Sequence, residues 1–133
     1  MKITKSADFA LRLVMYLSSQ KQAITLQVLA KDLFIPYHNL AKLVQQLSRA
    51  GILSTKKGKA GGICLAVPSH DISLKQVADV IDGPVRLSDC LNQKVNVCEF
   101  SSTCQLKNAL GDIQNKIDNL MHDVKISTLT LSN

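Results

Sequence analysis

The chain has no tryptophan, only three phenylalanines and two tyrosines, and no apolar run of membrane-spanning length. A helix that crosses a bilayer needs about 20 consecutive apolar residues, so no membrane span is expected. A signal peptide is also not expected, because Arg12 interrupts the apolar run Leu11–Leu17 and no small-residue cleavage site follows. The sequence therefore predicts a soluble, cytoplasmic protein whose core is filled by aliphatic side chains.

Acidic residues are scarce in the first half of the chain. Residues 1–67 carry ten Lys and Arg against Asp8 and Asp32, a net charge of +8, whereas residues 68–133 carry six against eight acids, a net charge of −2. A basic half is the expected contact with a polyanion such as double-stranded DNA. Ordinary solvated lysines produce the same count, so charge alone leaves the partner open.

The sequence also lacks the motifs of common enzymes and zinc sites. It contains no phosphate-binding GxGxxG loop and no CxxC pair, and its cysteines and histidines are not spaced as a catalytic dyad. Structural zinc sites are usually built from C-x₂₋₄-C pairs, which are absent. The prediction is that the protein is not an enzyme.

Three helices are predicted before residue 51. Apolar residues at helical spacing predict the first over Ser6–Gln20. Thr25 is a good N-cap for a second helix, Leu26–Leu33, and Pro36 begins a third that Gly51 ends. The exposed face of the third helix has many hydrogen-bond donors and no acid; it comprises Tyr37, His38, Asn39, Lys42, Gln45, Gln46 and Arg49. Two short helices joined by a tight turn, the second with such a face, predict a DNA-reading helix-turn-helix.

A glycine- and lysine-rich loop lies between two strand-like runs, residues 52–55 and 63–67, which predicts a β-hairpin. After a helix-turn-helix, such a hairpin is a wing. Its glycines, Gly61 among them, let the loop approach a phosphate backbone, and Lys56, Lys57 and Lys59 supply positive charge. Cys64 lies among apolar residues in the second run and is predicted to be a buried filler.

The second half contains two further predicted helices. A capping box that begins at Ser73 predicts a helix over Leu74–Asp82, which Gly83 and Pro84 end. Apolar residues then recur at alternating intervals of four and three, a heptad stripe of Leu106, Leu110, Ile113, Ile117, Leu120 and Val124. We expect this long helix to pack on its twin in a homodimer that reads a palindromic operator. The alternative is a helix folded back on its own domain.

These elements predict a mainly α fold with a small β-hairpin wing. Residues 1–83 are predicted to form a winged helix-turn-helix DNA-binding domain. A cysteine-rich loop follows over residues 84–104, and residues 105–133 form a dimerisation helix and tail.

The predicted cysteine loop holds three of the four cysteines, Cys90, Cys98 and Cys104, within fifteen residues. In a reducing compartment this indicates metal or redox chemistry rather than a disulfide framework. An iron–sulfur cluster needs soft thiolates from a loop that wraps it, and it does not need close pairs. A disulfide switch such as Cys90–Cys98 is the alternative, and it leaves one cysteine over. The spacing leaves both interpretations open.

The whole chain resembles the family of winged-helix iron–sulfur regulators that includes IscR, NsrR and RirA. The matching stretches are residues 1–12, 35–36 with 40–43, 47–53, 58–62, 72–74 leading to 81–83, and the three clustered cysteines. The resemblance implies that these cysteines bind an iron–sulfur cluster. In IscR-like members a histidine three residues after the last cysteine completes a 2Fe–2S site, whereas this chain has Lys107 there.

In NsrR-like members an aspartate in the first helix, donated by the second subunit, completes a 4Fe–4S cluster, and Asp8 matches that position. The resemblance therefore favours a 4Fe–4S cluster with Asp8 as the fourth ligand, and a 2Fe–2S cluster is the other form. Without a metal, Asp8 would simply suit the dipole of the first helix. The implied function is a repressor that senses nitric oxide, iron or redox state; the alternative is a cluster-free thiol-redox regulator of the same fold.

Overall fold

The structure of the protein, a computed structural model, describes residues 2–92, 98–129 and 131. Within these residues it has five α-helices and one two-stranded antiparallel sheet. The elements are α1 (Lys5–Ser18), α2 (Leu26–Leu33), α3 (Tyr37–Arg49), β1 (Leu53–Lys56), β2 (Gly62–Leu65), α4 (Leu74–Asp82) and α5 (Gln105–Asp123). The predicted mainly α architecture with a β-hairpin is confirmed.

The core is built around α1. The helix begins one residue earlier than predicted because the Thr4 hydroxyl caps it, accepting from the N–H of Ala7 at 3.2 Å. It also ends two residues earlier, at Ser18. Eight of its fourteen residues are buried: Ala7, Phe9, Ala10, Leu11, Leu13, Val14, Tyr16 and Leu17. A helix that is apolar over so much of its circumference must be covered on several sides, so the other elements pack around it.

The helix-turn-helix follows its capping signals. Thr25 caps α2 as predicted, accepting from the N–H of Val28 at 3.4 Å. Pro36 is the N-cap of α3, so this helix begins one residue later than predicted, at Tyr37. The apolar face of α3 is buried through Leu40, Leu43, Val44 and Leu47. Burial of that face leaves the opposite, polar face of α3 directed to solvent.

The wing is anchored by one β-bridge to the rest of the domain, which we call the body. In the hairpin Leu53 pairs with Leu65 and Lys56 with Gly62. The backbones of Ile24 and Ile63 also exchange two hydrogen bonds, of 3.0 and 2.7 Å. Gly62 has φ +148°, and a Cβ there would lie 2.5 Å from the carbonyl carbon of Ile24. Glycine is therefore required at the point where the wing meets the body.

The predicted bounds of α4 are confirmed, and its Ser73 cap accepts from the N–H of Gln76 at 3.0 Å. The chain after α5, which has no clear structural pattern in its sequence, returns to the core. Ile126, in a short 3-10 helix, is completely buried, and its N–H donates to the carbonyl of Ile72 at 2.9 Å. The end of α5 is thereby fixed to the winged-helix body.

The heptad stripe of α5 divides into two rows. Leu110, Ile117 and Val124 are half-buried, and Val124, the last residue of the predicted stripe, lies just beyond the helix as its C-cap. Leu106, Ile113 and Leu120, each seven residues apart, are 66%, 48% and 68% exposed. One side of α5 thus folds back on its own domain and the other is left open. No helix in the described part of the chain has the length and apolar character to cross a membrane.

Candidate DNA interface and cysteine loop

The polar face of α3 presents the residues that the sequence predicted. Tyr37 is 50% exposed. The other predicted DNA contacts on this helix are also exposed, namely His38, Asn39, Lys42, Gln45 and Arg49. Amide, guanidinium and ammonium groups are the usual partners of base edges and phosphates. The arrangement suits insertion of α3 into a major groove.

The tip of the wing combines a tight turn with positive charge. Lys56, Lys57 and Lys59 are all exposed. Gly61 shapes the turn, since its N–H donates to the carbonyl of Gly58 at 3.0 Å and a Cβ would lie 2.5 Å from the carbonyl oxygen of Lys56. A side chain at residue 61 would therefore distort the loop that displays the lysines. Direct contact between Gly61 and DNA stays a prediction.

Phe34 is the C-cap of α2 and lies in the turn between α2 and α3. Phe34 is 87% exposed, and its backbone is left-handed, with φ 55°. A left-handed residue is a common way to end a helix, and here the N–H of Phe34 donates to the carbonyl of Ala30. The ring lies in the turn that leads into α3, where an apolar group can contact a thymine methyl. A phenylalanine shortly before a proline carries no sequence signal for this exposure.

Tyr16 ties the helix-turn-helix to α1. Its hydroxyl donates to Oδ2 of Asp32, in α2, at 2.8 Å, and its ring is 8% exposed. The hydrogen bond to Asp32 raises the pKa of Tyr16 above its usual 10.0, and burial and the negative charge of Asp32 raise it further. Asp32 thus has a structural role, which is to join α2 to α1.

Asp8 lies in the first turn of α1 and is half-exposed. Its carboxylate forms an ion pair with Arg12, one turn further on, at 2.7 Å, and the two side chains are 48% and 42% exposed. The guanidinium of Arg12 also lies 5.6 Å from the centre of the Phe9 ring. Asp8 is therefore accessible from solvent, but within its own chain it is paired with Arg12.

The three clustered cysteines are free thiols, with Cys90 before residues 93–97 of the loop and Cys98 and Cys104 after them. Cys90 is half-buried in a 3-10 turn, Asp89–Leu91, with its Sγ 3.2 Å from Oγ of Ser88. Cys98 is exposed, and Cys104 is the half-buried N-cap of α5. Part of the predicted loop, residues 93–97, lies outside the described residues.

The described residues contain no group of three or more His, Cys, Asp or Glu side chains arranged to hold a metal. The donor set nevertheless fits an iron–sulfur cluster chemically, because it offers three uncrosslinked thiols, the ligands that such clusters use. A ligand group would require the loop to draw the three thiols together.

Cys64 differs from its prediction as a buried filler, because it is only half-buried. Side chains alternate between the two faces of a strand, and in β2 the inward position is taken by Ile63, which is 3% exposed. The thiol of Cys64 therefore points away from the core, with its Sγ 3.7 Å from the carbonyl of Ser54.

Comparison with known proteins identifies relatives along nearly the whole chain. The model of the Rrf2 family, described as iron-dependent transcriptional regulators, matches residues 3–131. The HTH-type transcriptional regulator NsrR of Shouchella clausii is 32% identical over 114 residues, which cover 84% of this chain and 76% of the relative. NsrR of Bacillus subtilis is 26% identical, with coverage of 84% and 78%.

Two solved structures share the fold. T. potens IscR superposes with a TM-score of 0.76 at 16% identity, covering 96% of this chain and 84% of the other. The oxidized form of CymR from Staphylococcus aureus superposes with a TM-score of 0.74 at 20% identity, covering 100% and 98%. At these identities the likeness establishes the winged-helix fold.

Proposed function

Since the chain belongs to the Rrf2 family of transcriptional regulators, we propose that it is a homodimeric repressor whose affinity for DNA depends on an iron–sulfur cluster. Membership of the family makes the chain a DNA-binding transcriptional regulator and not an enzyme. The finer proposal concerns the ligands, the signal and the assembly. The observation that carries it is the presence of three free thiols between the winged-helix body and α5.

In the proposed DNA complex, α3 lies in the major groove and the wing follows the phosphates. The donor face of α3 supports base reading, with Asn39 and Gln45 suited to adenine and Arg49 suited to guanine or phosphate. The wing lysines supply a charge contact that does not depend on sequence. Phe34 adds an apolar contact beside the start of α3. Two such subunits read the two halves of a palindromic operator.

The proposed cluster ligands are Cys90, Cys98 and Cys104, with Asp8 of the second subunit as the fourth. The presence of Lys107 in place of a histidine, and 32% identity to a protein named NsrR, favour the aspartate pattern and a 4Fe–4S form over a 2Fe–2S form. Such a cluster, when bound, supplies a centre that reacts with nitric oxide, oxygen or iron chelators. Shared ligation by Asp8 and the cysteine loop would tie α1 of one subunit to the loop of the other.

Iron content and colour test the proposed ligands. Protein reconstituted without oxygen is expected to be brown, with roughly three to four irons per chain for a 4Fe–4S form. Replacement Cys98→Ala removes one of three thiolates and is expected to abolish stable iron binding. Cys64→Ala, which removes the thiol on the wing, is the matched control and keeps the parent's iron content and absorption spectrum. A Cys98→Ala protein that holds iron as tightly as the parent would contradict the ligand assignment.

A cluster-free thiol-redox regulator is the second candidate. It is favoured because the described residues form no group of three metal ligands, whereas a disulfide needs only two of the cysteines. It predicts a colourless protein whose DNA affinity changes on oxidation and recovers with a reductant. Replacement of Cys90 by Ser would abolish that response, whereas an oxygen-stable colourless protein with no such response would exclude both candidates.

A further inference from the structure

Gln114 is the only buried residue of α5, a helix that is described along its whole length. Its side chain is 4% exposed, and a buried amide is costly unless its polar atoms are hydrogen-bonded. Both ends of this amide are bonded. Its Oε1 accepts from the backbone N–H of Leu87 at 2.8 Å, and its Nε2 donates to Oδ1 of Asp118 at 3.0 Å.

Leu87 belongs to the segment that leads from α4 to the first cluster cysteine, residues 83–92, which we name the Cys90 arm. Two further contacts hold this arm on α5. Arg86 forms an ion pair with Asp118 at 3.4 Å, between side chains that are 35% and 25% exposed. Leu91 lies over the helix surface at Gly111, where an added Cβ would be 3.8 Å from its Cδ2.

The beginning of the arm is tied to a different helix. Asp82, its preceding residue, accepts at Oδ1 from the hydroxyl of Thr4 at 2.5 Å and at Oδ2 from the N–H of Thr4 at 3.3 Å. Thr4 is the N-cap of α1, the helix that carries Asp8. The arm is therefore anchored to α1 at its start and to α5 in its middle.

Cys90 lies three residues after Leu87, the point at which Gln114 anchors the arm. Three residues of unconstrained chain would let the thiol move by about 10 Å. The anchor at Leu87 and the contact of Leu91 with α5 remove most of that freedom from both sides of Cys90. The 3.2 Å contact between Oγ of Ser88 and Sγ of Cys90 limits it further.

We propose that Gln114 is a positioning residue that holds the Cys90 thiol at a defined place on α5. A displacement of this thiol then moves the helix, because the Cys90 arm is not free to move independently of α5. The placement of the thiol stands on the contacts above and needs no metal. The transmission to α5 rests on the proposed function, in which Cys90 is a ligand.

Site-resolved alkylation of the reduced, metal-free protein tests the placement. Iodoacetamide is added, and mass spectrometry follows the modification of each cysteine separately. Replacement Gln114→Met keeps the size of the side chain but removes the acceptor for Leu87. We expect Cys90 to react roughly tenfold faster, because loss of one buried hydrogen bond favours local opening by that order. Cys98, Cys104 and Cys64 should react at the parent's rate.

Two variants separate positioning from packing. Asn115→Met, at the exposed neighbouring position of α5, is the matched control and leaves Cys90 as slow as in the parent. Gln114→Glu combined with Asp118→Asn keeps an acceptor for the Leu87 N–H and a donor–acceptor pair between residues 114 and 118 without placing two carboxylates side by side, and it is expected to restore slow alkylation. Equal Cys90 rates in the parent and Gln114→Met would overturn the proposal, and so would a Gln114→Glu/Asp118→Asn protein that reacts as fast as Gln114→Met.

Cys64 in the wing reports whether the fold survives. If Cys64 also accelerates in Gln114→Met, Asp118→Ala replaces it as the deciding variant, since it removes the group that orients the Gln114 amide. Because Asp118 also pairs with Arg86, Arg86→Ala is its control and removes the ion pair alone. A reaction of Cys90 that is faster in Asp118→Ala than in Arg86→Ala, with Cys64 unchanged, supports the proposal, and equal rates in the two variants overturn it. Because these experiments use metal-free protein, a failure of the cluster proposal would leave their outcome unaffected.

Discussion

Single polar side chains join segments that are far apart in the sequence. Tyr16 bonds Asp32 between α1 and α2, Thr4 bonds Asp82 between α1 and the end of α4, and Gln114 bonds the Cys90 arm to α5. Each pair is at least partly protected from water or held at two points, which makes its geometry specific. These contacts connect the candidate sensing residues to the helices that they would move.

The Tyr16–Asp32 pair predicts a pH-dependent contribution to stability. Tyr16→Phe removes the hydrogen bond and is expected to lower the free energy of unfolding by about 1 kcal/mol near neutral pH. Because the pKa of Tyr16 is raised in the folded protein, its contribution is complete below the ordinary value of 10.0 and is lost as the pH rises through the folded value. Denaturant titrations of the parent and Tyr16→Phe at pH 8 and pH 11 measure the difference, which should shrink at the higher pH.

Tyr37→Phe is the matched control for this experiment, because Tyr37 is half-exposed on the polar face of α3. It should leave the free energy of unfolding within a few tenths of a kcal/mol of the parent at both pH values. A Tyr16→Phe deficit that stays constant between pH 8 and pH 11 would argue against the cause assigned to the raised pKa.

The two elements that are proposed to contact DNA, α3 and the wing, have different roles. The donor face of α3 reads bases, and the wing supplies charge on a turn that Gly61 and Gly62 make possible. The bridge between Ile24 and Ile63 fixes the wing to the body, so the lysines keep a defined position relative to α3. The two elements are therefore expected to respond differently to mutation.

Replacement of Lys57 and Lys59 by Ala is expected to weaken binding to operator and unrelated DNA by the same factor. Each lost phosphate contact also reduces the slope of log K against log salt by about 0.9, so the slope should fall by roughly 2. In contrast, Gln45→Ala should cost about 1–3 kcal/mol on the operator and little on unrelated DNA. Fluorescence anisotropy at several salt concentrations measures both; a lysine effect confined to the operator would contradict the phosphate role.

In the proposed homodimer the two subunits meet at the open side of α5. Three large apolar side chains seven residues apart, Leu106, Ile113 and Leu120, are exposed in the single chain. Such a row is the usual seam between two helices, and the other side of α5 is already occupied by the chain's own domain. The row supports the proposed homodimer, in which movement of α5 would change the separation of the two α3 helices.

Ile113→Glu tests this assembly by placing a charge in the middle of the row. Burial of an unpaired carboxylate costs several kcal/mol, so the variant is expected to sediment as a monomer at concentrations where the parent is a dimer. Lys116→Glu, at an exposed polar position of the same helix, is the control and should remain dimeric. If Ile113→Glu sediments as the parent does, the dimer interface lies elsewhere.

The sequence alone was sufficient for local features. The caps at Thr25 and Ser73, the bounds of α2 and α4, the buried and polar faces of α3 and the hairpin depend on interactions between residues close in the chain. Helix capping and periodicity record those interactions directly. The donor face of α3 and the wing lysines could therefore be predicted, as could the cysteine motif on which the resemblance to the family depends.

The tertiary structure alone decided which distant segment covers each surface. A pattern of apolar residues shows that a face avoids water, but it does not show which segment of the chain packs against that face. For that reason the sequence alone did not predict the burial of Ile126 or Gln114, the exposure of Phe34, the half-burial of Cys64, or the division of the α5 stripe into a covered and an open row. The anchoring of the Cys90 arm likewise depends on contacts across 27 residues of sequence between Leu87 and Gln114, which only the folded chain brings together.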